Sequence, residues 1–302
     1  MIIDNESFND LIEQQLAIWP LAKLNYDALA KTERRKVALG NFEMAVQCNP
    51  SRIVSTGAKT DKESIAGRPC FLCRANRPKE QITTEILPGW ELLVNPYPIL
   101  PVHFTIASTT HKPQESVPFD IVELAESLPG MAVFFNGARA GASAPDHLHL
   151  QAVLKDELPL LRLVEQLHPA IEPGIKTSSD FDVRLPYFIV SGVVAPDDSG
   201  MSALAAGIFT GGLDRDLHLT DRELVNTFFW VGGDRLLRYV VVPRRAHRPS
   251  CYFCEGDEKR IVSPGCIDMA GLMIVPRPED YQRLSATDIM QIYSEVALAD
   301  YK

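Results

Sequence analysis

Apolar and polar residues alternate along this chain in patterns that predict helices at its beginning and strands over much of the rest. Residues 7–36 have the apolar spacing of a helix, whereas residues 37–60 are typical of short strands or irregular structure. The segment WELLVNPYPILPVHFTIAS predicts two strands with a turn between them, because its prolines exclude a continuous helix. DIVELAESLPG then predicts a short helix, and MAVFFNG predicts a further strand.

The next strand, HLHLQAVLK, carries an unusual polar face. Successive side chains of a strand point to opposite faces, so His147, His149 and Gln151 are expected to share one of them. The preceding loop, ARAGASAPD, consists largely of small residues that let backbone N–H groups approach an anion. This combination is typical of a phosphate site, although paired histidines also occur as ordinary solvent-facing residues of a half-buried sheet.

The second half of the chain repeats this order in part. RLLRYVVVPRRAHRP (235–249) is similar to VHFTIASTTHKP (102–113), and SPGCIDMAGLMIVPRPED (263–280) is expected to take the place of the histidine strand. The helix SATDIMQIYSEVALA follows. The repeat predicts two copies of one unit, with the chemistry retained only in the first.

Composition and charge exclude several classes of function. The chain has 302 residues, of which 46% are hydrophobic and 23% charged, as is ordinary for a globular protein. Its net charge of −9 argues against binding a nucleic-acid polymer. The N-terminus lacks the pattern of a signal peptide, and no apolar run reaches the roughly 18 residues of a membrane span, so a cytoplasmic location is expected. The six cysteines are more typical of metal ligands or buried thiols than of disulfides.

Three motifs in a fixed order resemble a known superfamily. FNGARAGASAPDHLHLQA resembles the His-x-His-x-Gln signature of the histidine-triad superfamily, in the branch of galactose-1-phosphate uridylyltransferase, diadenosine tetraphosphate phosphorylase and GDP-L-galactose phosphorylase. NPYPILPVHFTIASTTH resembles the strand pair of these proteins, and CFLC lies where uridylyltransferases often carry a C-x-x-C. The resemblance covers roughly residues 68–155. Asp146, directly before the first histidine, departs from the common pattern.

The resemblance implies a covalent mechanism of nucleotidyl transfer. It gives His149 the role of nucleophile towards phosphorus, with His147 beside it and with Gln151 donating its amide to a phosphate oxygen. Hydrolases of the superfamily have a third histidine at this last position, so the glutamine favours a transferase or phosphorylase. The substrate contacts implied or considered are Asn136, Gly141 and Ser143 in the phosphate pocket, and Asn95 near the ribose or only as a turn residue before Pro96.

A metal site is also expected. Cys70 and Cys73 have the C-x₂-C spacing that suits two thiolates on one tetrahedral zinc. The resemblance implies that His111 and His147 complete a structural Zn²⁺ site. Two alternatives remain from the sequence: a four-cysteine site that includes a second C-x₂-C, Cys251 and Cys254, or no metal at all.

A basic cluster in the second half has two interpretations. Its side chains could form a phosphate clamp, or they could belong to a solvated strand edge, which is the interpretation that we favour. The cluster comprises Arg235, Arg238, Arg244, Arg245, His247 and Arg248.

The predicted fold is α+β, with two histidine-triad-like repeats whose mainly antiparallel sheets are flanked by helices. Residues 1–60 are expected to form an extension packed on the core, 61–165 the catalytic half, and 166–302 a degenerate second half. The predicted function is a nucleotidyltransferase or phosphorylase that takes a nucleoside diphosphate sugar or dinucleoside polyphosphate and a phosphate or sugar-phosphate acceptor. The alternatives are a nucleotide-conjugate hydrolase and a non-catalytic nucleotide-binding protein, and the sequence leaves the base, the sugar and the oligomeric state open.

Overall fold

A single large antiparallel sheet dominates the computed structural model, which describes residues 5–168, 175–194 and 223–299. Its nine strands lie in the order β3-β4-β5-β7-β6-β10-β11-β9-β8. The strands are β3 (Thr84–Leu87), β4 (Trp90–Val94), β5 (His103–Ser108), β6 (Met131–Asn136), β7 (His149–Leu154), β8 (Ile175–Thr177), β9 (Val190–Val194), β10 (Val225–Val231) and β11 (Leu237–Pro243).

The strand pairings repeat within this sheet. In the first half β4 pairs with β5, β5 with β7 and β7 with β6, and in the second half β8, β9, β11 and β10 pair in the same way. The two halves meet where β6 pairs antiparallel with β10, with Asn136 directly opposite Asn226. The prediction that 235–249 corresponds to 102–113 is therefore wrong. This segment forms β11, the counterpart of the histidine strand β7, and it begins with Leu237 where β7 begins with His149.

A second sheet covers one face of the large one. It consists of β1 (Glu33–Leu39), β2 (Phe42–Cys48) and β12 (Leu272–Val275). Strand β1 is antiparallel to β2, and β12 is parallel to it. The segment 263–280 was expected to take the place of the histidine strand, and this is wrong, because β12 pairs with β2 in the second sheet. Short apolar strands resemble one another in sequence, and their partners are set by non-local packing.

The helices are short and lie on both faces. They are α1 (Asn5–Ile18), α2 (Pro20–Leu29), α3 (Ile53–Thr56), α4 (Lys62–Ala66), α5 (Ile121–Ser127), α6 (Pro159–Leu167), α7 (Cys266–Met269), α8 (Pro278–Arg283) and α9 (Ala286–Val296). The helix expected over 7–36 ends at Leu29, and residues 33–36 belong to β1 because pairing with β2 outweighs their helix propensity. None of the helices in the described ranges has the length and apolar character needed to cross a bilayer.

Alternate side chains of the large sheet enter two separate cores. On β6, Phe134 packs into the core beneath the second sheet, whereas Phe135 packs into the core beneath α1 and α5. The same period divides β7, where Leu150 and Ala152 face the α1 side and Val153 faces the second sheet. His149 and Gln151 therefore share the face that the second sheet covers.

Candidate functional site

His149, the first residue of β7, has one ring nitrogen held by the main chain. Its Nδ1 lies 2.8 Å from the carbonyl oxygen of His147. A carbonyl oxygen only accepts, so Nδ1 carries the proton and Nε2 keeps its lone pair. Burial lowers the pKa of His149 to about 4, which keeps the ring neutral at neutral pH. Within the described part of the chain Nε2 has no hydrogen-bond partner, and the residue is 4% exposed.

Gln114 fixes the main chain around this histidine. Its Oε1 accepts the N–H of His149 at 2.8 Å, and its Nε2 donates to the carbonyls of His149 at 2.8 Å and Asn136 at 2.9 Å. The side chain is fully buried. Gln114 thus ties the start of β7 to the end of β6, a role that its place in a polar loop of the sequence does not indicate.

The amide of Gln151 is oriented by a buried histidine on β5. His103 accepts the N–H of Ile99 at its Nδ1, at 3.1 Å, so its proton is on Nε2. That Nε2 lies 2.8 Å from Oε1 of Gln151 and donates to it. The NH₂ group of Gln151 is left to face the cleft. His103 stands inside the predicted strand VHFTIAS, and sequence reasoning assigned it no role.

The side chain of Asn136 is oriented in a similar way from the other side. Its Oδ1 accepts the N–H of Cys266 at 2.7 Å and Nδ2 of Asn226 at 3.2 Å. With the oxygen engaged, the NH₂ group is the part of the amide that remains for a ligand. Two amide NH₂ groups, one on the neighbouring strand β6 and one on β7 itself, are therefore not engaged by the oxygen-directed contacts and remain for a ligand.

The small-residue loop after β6 packs directly on the segment before α7. Gly141 has φ of +101°, and a Cβ there would lie 2.5 Å from Cα of Gly265. Three of the four alanines of the loop, Ala140, Ala142 and Ala144, are buried. The segment SPGCIDMAG, for which the sequence pattern indicates no role, is the surface against which this loop is held; residues 138–146, expected from the sequence to bind phosphate, are called the phosphate loop.

The loop after β6, strands β6 and β7, and α7 line a common cleft. Four of the predicted substrate-contacting residues line it: Asn136, Gly141, Ser143 and Gln151. The rest of the lining comes from the segment after β2, the segments between β11 and α7, and α7 itself, and includes Arg52, Thr56, His247, Arg248, Ser263 and Asp268. The cleft encloses about 630 Å³, its open mouth included. His149 is not itself among the lining residues, but it stands two residues from Gln151 on the same face of β7.

The cleft has a positive wall although the chain is acidic overall. Arg52 donates through Nη1 to the carbonyl of Tyr97 at 2.6 Å, and its buried Nε has no partner among the described residues. Arg248 uses Nε and Nη2 for protein contacts. The carboxylate of Asp268 accepts the N–H groups of Gly265 and Ile274. The two arginine side chains that line this cleft therefore suit an anionic ligand.

Asn95 is placed differently from the other predicted contacts. Its Oδ1 accepts the N–H of Tyr97 at 2.9 Å and its Nδ2 donates to Oγ1 of Thr105 at 3.1 Å. It is not among the lining residues of the cleft. Its contact with a nucleotide stays a prediction beside this turn-forming role.

The predicted metal ligands converge on one point. Their donor atoms, the Sγ of Cys70 and Cys73 and a ring nitrogen of His111 and His147, all lie within 4.8 Å of one another. The distances from Nδ1 of His147 are 3.3 Å to Sγ of Cys70, 3.6 Å to Sγ of Cys73 and 3.3 Å to Nδ1 of His111. A tetrahedral zinc with ordinary bond lengths requires ligand separations of about 3.3 to 3.8 Å. The donor set and its spacing fit Zn²⁺.

The cluster is mechanically linked to His149. The Nε2 of His147 lies 2.8 Å from the carbonyl oxygen of Ser108, which leaves its Nδ1 with a lone pair directed at the thiols. The carbonyl of the same residue receives the Nδ1 proton of His149. His147 lies in the bend before β7, so the prediction that it stands on the strand with His149 and Gln151 is wrong. Asp146 pairs with Arg68 at 2.7 Å and ties this bend to the C-x₂-C loop.

The second C-x₂-C does not join this cluster. Cys251 and Cys254 belong to no group of three or more metal-ligating side chains in the part of the chain that the structure describes. Both are partly buried free thiols. The four-cysteine alternative is therefore not the arrangement that the fold brings together.

The basic cluster of the second half is not a solvated edge. Arg238 and Arg244 are each 4% exposed. Arg238 pairs with Asp234 at 2.6 Å, and Arg248 lines the cleft. Only Arg235 and Arg245 are exposed. The expectation fails because strand β11 lies between β10 and β9 in the sheet rather than at its edge.

Comparisons with known proteins agree with this architecture. A family described as a domain of unknown function (DUF4922) matches residues 11–154. No curated protein matches the sequence. The crystal structure of yeast Ap4A phosphorylase Apa2 in complex with Ap4A is similar with a TM-score of 0.67 at 17% identity, over 100% of both chains. The complex of Apa2 with AMP gives 0.66 at 16% identity, over 100% of this chain and 99% of that one.

A third crystal structure of Apa2 gives a TM-score of 0.61 at 17% identity, over 97% of this chain and 98% of that one. Sequence identities of 16% and 17% show a similarity of fold and nothing finer. They confirm the predicted α+β fold with mainly antiparallel sheets flanked by helices, and the fold of this chain is that of these solved structures.

Proposed function

We propose that this protein is a nucleotidyltransferase of the phosphorylase type, which carries a nucleoside monophosphate on Nε2 of His149 between two half-reactions. The observation that carries the proposal is the 2.8 Å contact of Nδ1 with the carbonyl of His147, which makes Nε2 the nucleophilic nitrogen. The neutral state of the buried ring supports the same role. The resemblance of the HLHLQ segment to the His-x-His-x-Gln signature adds to it.

In the first half-reaction Nε2 attacks the α-phosphorus of the substrate. A P–N bond forms, the P–O bond to the remainder of the substrate breaks, and the leaving phosphate or polyphosphate takes the electron pair. The NH₂ groups of Gln151 and Asn136 donate to the oxygens whose charge grows in the transition state. Arg52, which also lines the cleft, adds positive charge. In the second half-reaction a phosphate oxygen of the acceptor attacks phosphorus, and the P–N bond breaks.

We also propose that Cys70, Cys73, His111 and His147 hold a structural Zn²⁺. With four protein ligands no position remains open for a substrate, so the ion would supply rigidity and no chemistry. Its effect on the reaction would pass through His147, whose carbonyl orients the His149 ring. This would give the four-residue ligand cluster, which lies directly before His149 in the chain, a role in positioning that residue.

The cleft and the fold support a proposal for the substrate class. The two arginines that line the cleft suit a chain of phosphates, and the fold is that of an enzyme crystallised with Ap4A and with AMP. We propose a dinucleoside polyphosphate or a nucleoside diphosphate sugar as donor, with phosphate or a sugar phosphate as acceptor. A cytoplasmic location, and partners that include neither a nucleic-acid polymer nor a membrane, remain part of the proposal.

The test is trapping of the intermediate. The protein is incubated without acceptor with a panel of dinucleoside polyphosphates and nucleoside diphosphate sugars, and its intact mass is measured at neutral or basic pH. We expect the mass to rise by one nucleoside monophosphate, and phosphate to release this as a nucleoside diphosphate. Release as nucleoside monophosphate in water alone would make the protein a hydrolase, and no turnover of any donor would leave a non-catalytic nucleotide-binding protein.

A further inference from the structure

Arg244, which follows the last residue of β11, is buried, and its hydrogen-bond acceptors within residues 5–168, 175–194 and 223–299 include no carboxylate. It is 4% exposed. Its acceptors are the carbonyls of Val296 at 2.8 Å, Pro264 at 3.0 Å, Ala246 at 3.1 Å and His247 at 3.4 Å, and the side-chain oxygen of Asn226 at 2.5 Å. Burying a cation in this way is costly, and an apolar side chain would pack there more cheaply. The guanidinium therefore calls for a functional reason.

The first consequence of this charge is the orientation of Asn226. A guanidinium has no acceptor, so the atom of Asn226 that faces Arg244 is the carbonyl oxygen. The NH₂ group must then point the other way. It donates to the carbonyl of Ala140 at 2.7 Å and to Oδ1 of Asn136 at 3.2 Å. Asn226 is fully buried, so no water competes for these positions.

The second consequence is the orientation of Asn136. Asn226 lies directly opposite it in the pairing of β6 with β10. Because Asn226 presents a donor, Asn136 must present its oxygen, and the N–H of Cys266 donates to the same oxygen. A reversed Asn136 amide would set its NH₂ group against two donors. Hydrogen bonds in such a chain also polarise one another.

We infer that Arg244 and Asn226 are positioning residues, which hold the Asn136 amide with its NH₂ group directed at the phosphate in the cleft. The inference rests on the proposed function in taking that ligand to be a phosphate group. The second half of the chain lacks the histidine and glutamine of β7, but through β10 and β11 it supplies the groups that orient one of the two phosphate-binding amides. His103 does the same for Gln151 from within the first half.

Substitutions test this chain of bonds through a double-mutant cycle. Asn226→Asp keeps the acceptor for Arg244 but loses the donor to Asn136, and Asn136→Ala removes the final amide. The probe is inorganic pyrophosphate, and its affinity is measured by calorimetry. We expect each single variant to weaken binding roughly tenfold or more, as for hydrogen bonds to charged groups, and the double variant to weaken it no further.

Additive effects would overturn the inference, because they would mean that Asn226 acts independently of Asn136. The new carboxylate of Asn226→Asp could also weaken binding simply by repelling pyrophosphate. This repulsion does not require Asn136, so it would give additive effects in the cycle. Unchanged affinity in either single variant, or no binding by the wild type, would equally overturn it. Binding by the wild type that shows the expected cycle, together with no covalent adduct from any donor, would refute the proposed function and leave the positioning role intact.

Arg244→Met is compared with Arg238→Met as a matched control. Both arginines are 4% exposed, but Arg238 bonds to Asp234 and to the carbonyl of His168 and has no contact with the phosphate loop. We expect Arg244→Met to lower pyrophosphate affinity and Arg238→Met to leave it unchanged. Equal effects of the two on affinity would reduce Arg244 to a packing role.

A measurement on the wild type avoids substitutions that fail to fold. In a ¹⁵N-labelled sample the side-chain NH₂ protons of Asn226 should exchange slowly with deuterium, since both donate within the core. The NH₂ signals of Asn136 should shift when pyrophosphate is added. An Asn136 amide that does not respond, while other cleft residues do, would overturn the inference.

Discussion

The Nε2 atom of His103 lies 2.8 Å from Oε1 of Gln151, and its Nδ1 accepts the N–H of Ile99. The buried ring of His103 on β5 thus accepts a hydrogen bond from a main-chain N–H with one nitrogen and donates one to the Gln151 side chain with the other. Because the proton of His103 is on Nε2, Gln151 must turn its oxygen towards His103, and its NH₂ group then faces the cleft.

Two amide substitutions of His103 should separate these contacts. A glutamine places its NH₂ group near the position of Nε2 and can still donate to Gln151, whereas an asparagine reaches only the position of Nδ1. We expect His103→Asn to lower kcat for nucleotidyl transfer roughly tenfold, the cost of one misdirected hydrogen bond to a charged group, and His103→Gln to retain most of it. Equal losses in steady-state assays of the two variants would argue against orientation as the cause.

The same residue predicts a pH dependence of stability. Burial, together with the nearby Arg52, lowers the pKa of His103 from its ordinary value of 6.5 to about 3. Between these values the unfolded chain takes up a proton that the folded chain does not, so the free energy of unfolding falls as the pH is lowered from 6.5 towards 3. His103→Gln lacks this uptake. The difference in the free energy of unfolding between His103→Gln and the wild type should therefore become smaller as the pH is lowered from about 7.5 to about 5, as measured in urea titrations. Parallel pH profiles of the two proteins would contradict the assignment.

Removal of a cluster thiol should abolish metal binding and loosen the site. We expect Cys73→Ser to lose the zinc that the wild type retains and to lower the free energy of unfolding by several kcal/mol, because metal binding is coupled to folding. Cys254→Ser is the matched control, since it also removes one partly buried thiol of a C-x₂-C pair. Elemental analysis and thermal unfolding check both variants. Zinc-free wild type, purified without chelator, would refute the ligand set.

The contact between two glycines predicts a position with no room for a side chain. Gly141→Ala sets a Cβ 2.5 Å from Cα of Gly265, in addition to the strain of a positive φ. Gly89→Ala has the strain alone, because φ there is +87° and the nearest atom is 4.0 Å away. We expect the first variant to lose transfer activity and more stability than the second, by about 1 to 3 kcal/mol of overpacking. Similar stability losses would show that the two loops are not held together at this point.

Many of the residues that form the candidate site can be predicted from the sequence. Cys70, Cys73, His111 and His147 converge as the resemblance implies, because C-x₂-C spacing and ordered motifs reflect constraints that act over short stretches. The phosphate loop and Gln151 also line one cleft as expected. Residue type and spacing carry this information directly.

The parts that sequence reasoning missed depend on partners far along the chain. Which way Asn136 presents its amide is decided by Asn226, 90 residues later, and the sequence pattern of β10 gives no sign of it. The sequence pattern matches β11 to β5 instead of to its structural counterpart β7, because all three are short apolar strands. Arg244 is expected at a solvated edge, but it is buried against the segments of Pro264 and Val296, which lie 20 and 52 residues further along the chain.

The most direct test of the account is the location of the covalent bond. Protein labelled with ¹⁵N in its histidines is loaded from a dinucleoside polyphosphate, and the adduct is studied by ³¹P–¹⁵N correlation at basic pH, where a phosphoramidate survives. The account predicts coupling of phosphorus to Nε2 of His149, and no adduct in His149→Asn. Phosphorus bound to any other atom, or full turnover by His149→Asn, would contradict it.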